Sequence, residues 1–445
     1  GCGFYVGNLV VAAILKLYEA YPPDPKTAPL ILCIILITIV FLLSMLQIGL
    51  ARKKVQTFNT PHRNRRLNPH IFLIAGILTS WLTITLLFSH HEVLHRPAVA
   101  WDALAYWSAR GSEYVQWLIG SADGYPIHFE KRHPSTVVFL NAWAALATEL
   151  AQTEAYLLGP WALLHLSLAL GIVGAGKLIA NSWIPGIFCA LWSIGSALVE
   201  AHASLAGYAD IWLASGALFA TLIATLGHIR KSNSLFILSA LLAASLALIK
   251  LPGFIYSSVI LIGICYLKTS EYRNSLPSLG FRKKIMMLTG ILALAFGLGL
   301  FAFEVEWQIL SHISNFSLGH FTFSWSDIVF LDFTHILFYS ILLSSSYPFL
   351  VIPPLLLLFV LISQLYRPSS ESQSPYVIFS LIILGGFWFQ VLISLVIVED
   401  LINFSRPASD TTFSRSLLLL HMLSPTAFLL LLRGLNFGSR MQIRS

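Results

Sequence analysis

Charge is what this sequence has least of. Asp, Glu, Lys and Arg together make up 11% of its 445 residues, where soluble domains carry roughly a quarter. Hydrophobic residues make up 57%. Too little polar surface is present to cover a water-facing globule, so the three or so soluble domains that the length alone would suggest are excluded. The same numbers exclude a disordered chain, a coiled coil and a disulfide scaffold. Cysteine is also scarce: Cys2, Cys33, Cys189 and Cys265 lie in apolar stretches, with no CxxC and no zinc spacing, and are expected to pack as small hydrophobes. Strict apolar–polar alternation is missing, which excludes a porin-type barrel. No P-loop or Rossmann fingerprint occurs, which argues against a nucleotide-driven pump and a nucleotide-sugar enzyme. The glycines of GLGLF (297–301) suit helix packing better than a nucleotide loop.

What is abundant is the long apolar run. A bilayer core of ~30 Å takes roughly 20 residues of helix, and candidate spans fall near 4–20, 29–50, 70–89, 156–177, 183–200, 207–228, 233–249, 252–268, 284–303, 376–397 and 415–433. The stretch 334–366 is expected to break at Tyr347-Pro348 and at Pro353-Pro354, leaving one crossing and a shorter helix. The first run leads into a second without an A-x-A-like site, so no signal peptide is expected.

Basic residues set the orientation. Segment 51–69 holds Arg52, Lys53, Lys54, Arg63, Arg65 and Arg66 without an acid, and 268–284 holds Lys268, Arg273, Arg282, Lys283 and Lys284 against Glu271. Both belong on the cytoplasmic side, with the tail that carries Arg433, Arg440 and Arg444. The net charge of +7 is therefore a topology signal, and no nucleic-acid partner is expected. Segment 134–150 is apolar but short. Counting it as a crossing would put Arg230 and Lys231 outside, so it is expected to dip in without crossing. The predicted fold is all-α: a single transmembrane domain over 1–445, polytopic, with about twelve transmembrane helices and extracytoplasmic surface helices. Its large outer loops are 90–133 and 304–332.

Loop 90–133 carries the first chemistry. In WDALAYWSARGSEYVQWLI the residues Trp101, Leu104, Trp107 (or Ala105), Tyr114 and Leu118 fall mostly at three- and four-residue steps, which predicts an amphipathic helix on the membrane surface. Asp102 opens it. Alone, Asp102 is most simply an N-cap; the alternative is a carboxylate held at the boundary to take a proton. Beyond it come Tyr125-Pro126 and then Lys131-Arg132-His133-Pro134, leading into the dipping helix.

This layout resembles the first extracytoplasmic loop of the GT-C glycosyltransferases that use polyprenyl-phosphate sugars, such as protein O-mannosyltransferases and lipid A aminoarabinose transferases. In that family a catalytic Asp follows the membrane helix before the loop, matched by Asp102. A Lys/His-Pro-Pro-Leu element ends the loop, approximated by Lys131-Arg132-His133-Pro134 with Ser135 in place of the second Pro. Gly207-Tyr208-Ala209-Asp210 resembles the family's second acidic position. Arg415, in Thr411-Thr412-Phe413-Ser414-Arg415 before the last span, resembles the late Arg that holds the lipid phosphate. The resemblance covers roughly 70–260 and the last span, and its specificity lies in the order of the four elements.

The resemblance implies a GT-C fold and transfer of a sugar from a polyprenyl-phosphate sugar donor to a glycan, lipid or protein acceptor. Asp102 and Asp210 would be catalytic, with Arg415, Lys131, Arg132 and Lys250 on the lipid phosphate. Tyr106, Tyr125, His133, Tyr208, Glu200 and His202 would contact substrate. The chemistry independently wants a base beside the acceptor hydroxyl and positive charge where the leaving phosphate gains negative charge. Lys250, in LALIKLPGF, has a rival reading as a lysine snorkelling to headgroups. His421 either lines the phosphate pocket or only packs. No cofactor is demanded, though Glu200, His202 and Asp210 could hold a divalent cation. The expected location is the bacterial inner membrane, in contact with the lipid bilayer, with the site on the outer face. A transporter or flippase of lipid-linked saccharides is the alternative; it would more often show internal repeats and mid-span ionisable residues, and neither is evident here. A non-catalytic subunit of a larger membrane assembly is a third reading.

Overall fold

The computed structural model describes residues 2–20, 69–95, 109–118, 136–148, 159–180, 182–196, 209–250, 253–275, 348–366, 374–397 and 418–433. Among these the chain is all helical, with no strand. The α-helices are α1 (Cys2–Ala20), α2 (Pro69–His95), α3 (Ala109–Leu118), α4 (Thr136–Thr148), α5 (Gly159–Ala180) and α6 (Trp183–Ile194). They continue with α7 (Ala209–Arg230), α8 (Asn233–Ser245), α9 (Gly253–Ser275), α10 (Pro348–Tyr366), α11 (Ser374–Ile397) and α12 (Leu418–Arg433). A 3₁₀ turn, Leu246–Leu248, extends α8. Two helices, Pro160–Ala180 and Ala209–Arg230, are long and apolar enough to cross a membrane. The expected spans 29–50 and 284–303 and the loop 304–332 lie outside the described residues.

Several expected boundaries shift. Helix α2 runs on to His95, so His90, His91 and His95 belong to a helix and not to the outer loop. Helix α10 starts at Pro348, where a missing N–H is harmless, and then continues through Pro353-Pro354, where a break was expected. Neighbouring helices can supply the groups that such prolines leave unpaired. Of the expected aromatic stripe, Tyr114 of α3 is the one member whose side chain is among the described residues. It is fully buried, meets Phe139 of α4 edge-on at 5.0 Å, and donates its hydroxyl proton to the Leu15 carbonyl of α1 at 3.0 Å. A phenol needs a partner when enclosed, and the Leu15 carbonyl supplies it.

Helix α5 packs against α6, α7 against α8 and α8 against α9, each pair consecutive in the chain, and α7 also packs against α5 and α9. The turn between α7 and α8 is closed by backbone bonds from Ser232 N to Gly227 O (2.9 Å) and Lys231 N to His228 O (3.3 Å), with Lys231 at φ 50°. That is a Schellman cap with lysine in the position usually given to glycine. Helices α5 and α6 meet through glycines. A Cβ on Gly176 would stand 2.2 Å from Gly186 Cα, and one on Gly186 would stand 2.6 Å from the Val173 carbonyl oxygen. Paired small residues of this kind let two helix backbones approach closely.

Charge sorts to the two ends of this bundle. At one end Lys177 lies 5.6 Å from the Trp183 ring and Lys268 lies 4.8 Å from the Phe236 ring. There too Arg433 bonds the Ile179 carbonyl at 2.9 Å and faces Tyr376, which in turn meets His228. Arg230 and Lys231 occupy the adjoining turn. The opposite end holds Trp161, Trp212, Asp210 and Lys250, with the two indoles edge-to-face at 5.8 Å.

Adding a methyl at a helix contact of this closeness costs about 1–3 kcal/mol. Gly176→Ala and Gly186→Ala are each expected to lower the unfolding midpoint in detergent. Gly174→Ala, where nothing lies within 4 Å of the added atom, serves as the silent control. Equal midpoints for all three variants would show that the glycine contact does not support the bundle.

Candidate functional site

Asp210 occupies the first turn of α7, where the free amides and the helix dipole favour a carboxylate. Its Oδ1 accepts a hydrogen bond from Lys250 Nζ at 2.7 Å, a charge-assisted length. The two side chains are only 9% and 13% exposed, so the pair is screened little by solvent. Forty residues separate them along the chain. The α7–α8 hairpin closes that gap, because a helix pair that turns back on itself returns residue 250 to the level of residue 210.

The backbone around Lys250 is built for this placement. Ile249 N bonds the Leu246 carbonyl at 3.1 Å, and Gly253 N bonds the Lys250 carbonyl at 2.8 Å. A Cβ at Gly253 would stand 1.9 Å from the Leu246 carbonyl oxygen, so only glycine fits where α9 begins. Thr136, at the start of α4, donates its hydroxyl proton to the Leu248 carbonyl at 2.6 Å. Helix α4 therefore begins beside the ion pair, two residues after Pro134 of the basic-Pro element.

Helix α12 approaches from the same end. It runs antiparallel to α6: His421 Nε2 bonds the Trp192 carbonyl at 2.9 Å, Cys189 Sγ lies 3.8 Å from the Pro425 carbonyl, and Arg433 reaches Ile179. Its first turn thus points toward the Asp210 end, three residues after Arg415. Of the two alternatives for His421, the contacts favour packing: the ring is buried and one nitrogen is taken by a backbone carbonyl.

Among the expected site residues, Asp210 and Lys250 are described and are brought together. Asp102, Tyr106, Tyr125, Lys131, Arg132, His133, Glu200, His202, Tyr208 and Arg415 lie outside the described residues. An ammonium bonded to a carboxylate has its charge matched within the protein, so Lys250 is not the isolated lysine that the snorkelling reading describes. Sequence reasoning missed Thr136 and Gly253, the residues that fix the Lys250 turn; a Gly directly after Leu-Pro was the one available signal for the latter. Among the described residues no group of three His, Cys, Asp or Glu is arranged to hold a metal ion. Comparison with protein-family models, with curated proteins and with solved structures finds no match to this chain.

Removing one partner of an enclosed pair leaves an uncompensated charge, worth about 3 kcal/mol or more. Lys250→Met is expected to destabilise by that order, and Asp210→Asn with Lys250→Met to recover most of it. A double-mutant cycle in detergent measures the coupling, and a coupling near zero would mean that the contact contributes nothing to the fold.

Proposed function

We propose that this chain is an integral membrane glycosyltransferase of GT-C type, with about twelve crossings. It transfers a sugar from a polyprenyl-phosphate donor to a glycan, lipid or protein acceptor at the extracytoplasmic face of a bacterial inner membrane. The observation that carries the reading is a convergence. Asp210 and Lys250 meet at one end of the bundle, and the helices that follow the basic-Pro element and Arg415 both begin on that side. The cations Lys177, Arg230, Lys231, Lys268 and Arg433 gather at the other end, which is the cytoplasmic end by the positive-inside rule. Asp210 and the helices that follow two of the other motifs thus lie toward one face.

Helix α4 supports the same topology. Its thirteen residues span about 20 Å, short of a ~30 Å core. It starts at the Asp210 end, and so does α5, whose Trp161 meets Trp212. A segment that sets out from one end and returns to it dips without crossing.

In the reaction Asp102 takes the proton of the acceptor hydroxyl, whose oxygen forms a bond to the anomeric carbon as the bond to the phosphate oxygen breaks. The displacement inverts the anomeric centre. Arg415 holds the departing phosphate together with Lys131 and Arg132, where negative charge accumulates. Asp210, its charge matched by Lys250, orients the acceptor or supports Asp102.

Asp102→Asn is the discriminating variant. With a polyprenyl-phosphate sugar in proteoliposomes, turnover is expected to fall roughly 10²–10⁴-fold while lipid binding persists. Unchanged movement of the lipid-linked saccharide in the variant, with no sugar transferred by either protein, would identify a transporter instead.

A further inference from the structure

Helix α2 outlasts its apolar run. The apolar residues end at Phe88, yet the helix continues through 89–95. That extension carries His91-Glu92-Val93-Leu94-His95, a His-Glu-x-x-His sequence. In an outer loop the two histidines would have no fixed spacing. On a helix they stand four residues apart on one face, within about 40° of each other at 100° per residue, with Cβ atoms about 6 Å apart. Glu92 falls about 60° from His95, and His90 about 100° from His91 on the far side. His91 is exposed. The side chains of Glu92 and His95 lie outside the described residues, and their positions are set by the helical backbone.

Two imidazoles at this spacing fit one kind of ligand. Imidazole nitrogen suits zinc, copper, nickel and iron, whereas magnesium and calcium take oxygen ligands. Histidines one helical turn apart reach a single ion from the same side, and a glutamate directly after the first of them places a carboxylate beside the water that the ion holds. The end of the helix favours a cation for its own reasons. The last carbonyls of α2 have no partner within the helix and make that end negative. Glu92 adds a carboxylate in the same turn, at the pole where the helix dipole disfavours it. A dication offsets both.

We infer that the end of α2 is a site for a divalent transition metal of the zinc class, with His91 and His95 as the ligands that this helix supplies and Glu92 as the carboxylate beside them. Neither the Asp210–Lys250 pair nor sugar transfer enters the inference. Zinc sites are commonly four-coordinate, so the two remaining positions are filled from outside the helix, by water when the ion binds alone.

The probe is Zn²⁺ alone. The full chain, purified in detergent without a polyhistidine tag and stripped of metal with EDTA, is titrated with ZnCl₂ by calorimetry and with CoCl₂ by visible absorption. The wild-type protein is expected to bind Zn²⁺ at a site that His91→Ala and His95→Ala each weaken at least tenfold, since even the outer partners of metal ligands act on that scale. Both variants should lose the d–d bands that Co²⁺ gives in the wild-type protein, and Glu92→Gln should weaken Zn²⁺ about tenfold. The chain has fourteen histidines, so His90→Ala, one residue off the face, is the control and should bind as the wild type does. No Zn²⁺ uptake by the wild-type protein, equal losses in His90→Ala and His91→Ala, or undiminished uptake in His95→Ala would each overturn the site. His91→Gln and His95→Gln, closer to histidine in size, should lose the metal while eluting as the wild-type protein does on size exclusion, which separates lost ligation from misfolding. Because no sugar is present, failure here leaves the transferase proposal standing, and unchanged turnover in Asp102→Asn leaves this one standing.

Discussion

A carboxylate and an ammonium held 2.7 Å apart, both nearly enclosed, anchor one end of this helical bundle. Neither charge would be tolerable there alone, since moving an ion out of water is repaid only by a close partner and good geometry. The geometry is supplied by backbone: a Schellman cap that folds α8 back on α7, a 3₁₀ turn, and a glycine whose lack of Cβ lets α9 start against the Leu246 carbonyl. The chain ordering around residues 210 and 250 follows from keeping these two charges together.

Several other polar groups in the bundle are met by backbone. Hydroxyls inside α7 and α8 return to carbonyls four residues back or across the interface: Ser215 to Ile211, Thr225 to Thr221, and Ser239 to Ala220. Tyr114 brings a polar tip inside, and the Leu15 carbonyl meets it. Cations left over from this accounting sit at helix ends. Arg433 there satisfies a terminal carbonyl of α5, a group that the helix itself leaves unpaired. This sorting of charge gives the described bundle two chemically unlike ends.

Much of the helical layout was legible in the sequence because apolar runs of 12 to 24 residues have few other solutions in a chain so poor in charge. The starts of α1, α5, α7, α9 and α11 fall within three residues of the expected positions. Errors came where a local rule met a neighbour. Pro353-Pro354 looked like a break but lies within α10, and Tyr114 looked like an interface anchor but fills a space between α1 and α4. For Tyr114 the outcome turns on the Phe139 ring and the Leu15 carbonyl that pack against it. Of the candidate site, the place of Asp210 near the start of an apolar helix was legible from the run 207–228. Its partner was not, because nothing local in LALIKLPGF points forty residues back.

Composition and periodicity by themselves determined that the described chain is helical and apolar, with two helices of membrane-crossing length. They also determined which ends of the helices carry lysine and arginine, since charge cannot lie in mid-helix without a partner. Only the tertiary structure decided that Lys250 belongs to Asp210, that α4 and α5 start from the same end, and that α12 turns its first residues toward that end. Those are facts of how helices pair. The chain's apolar surfaces are too alike to specify a neighbour, so the choice falls to glycines, caps and single hydrogen bonds that act between residues far apart in sequence.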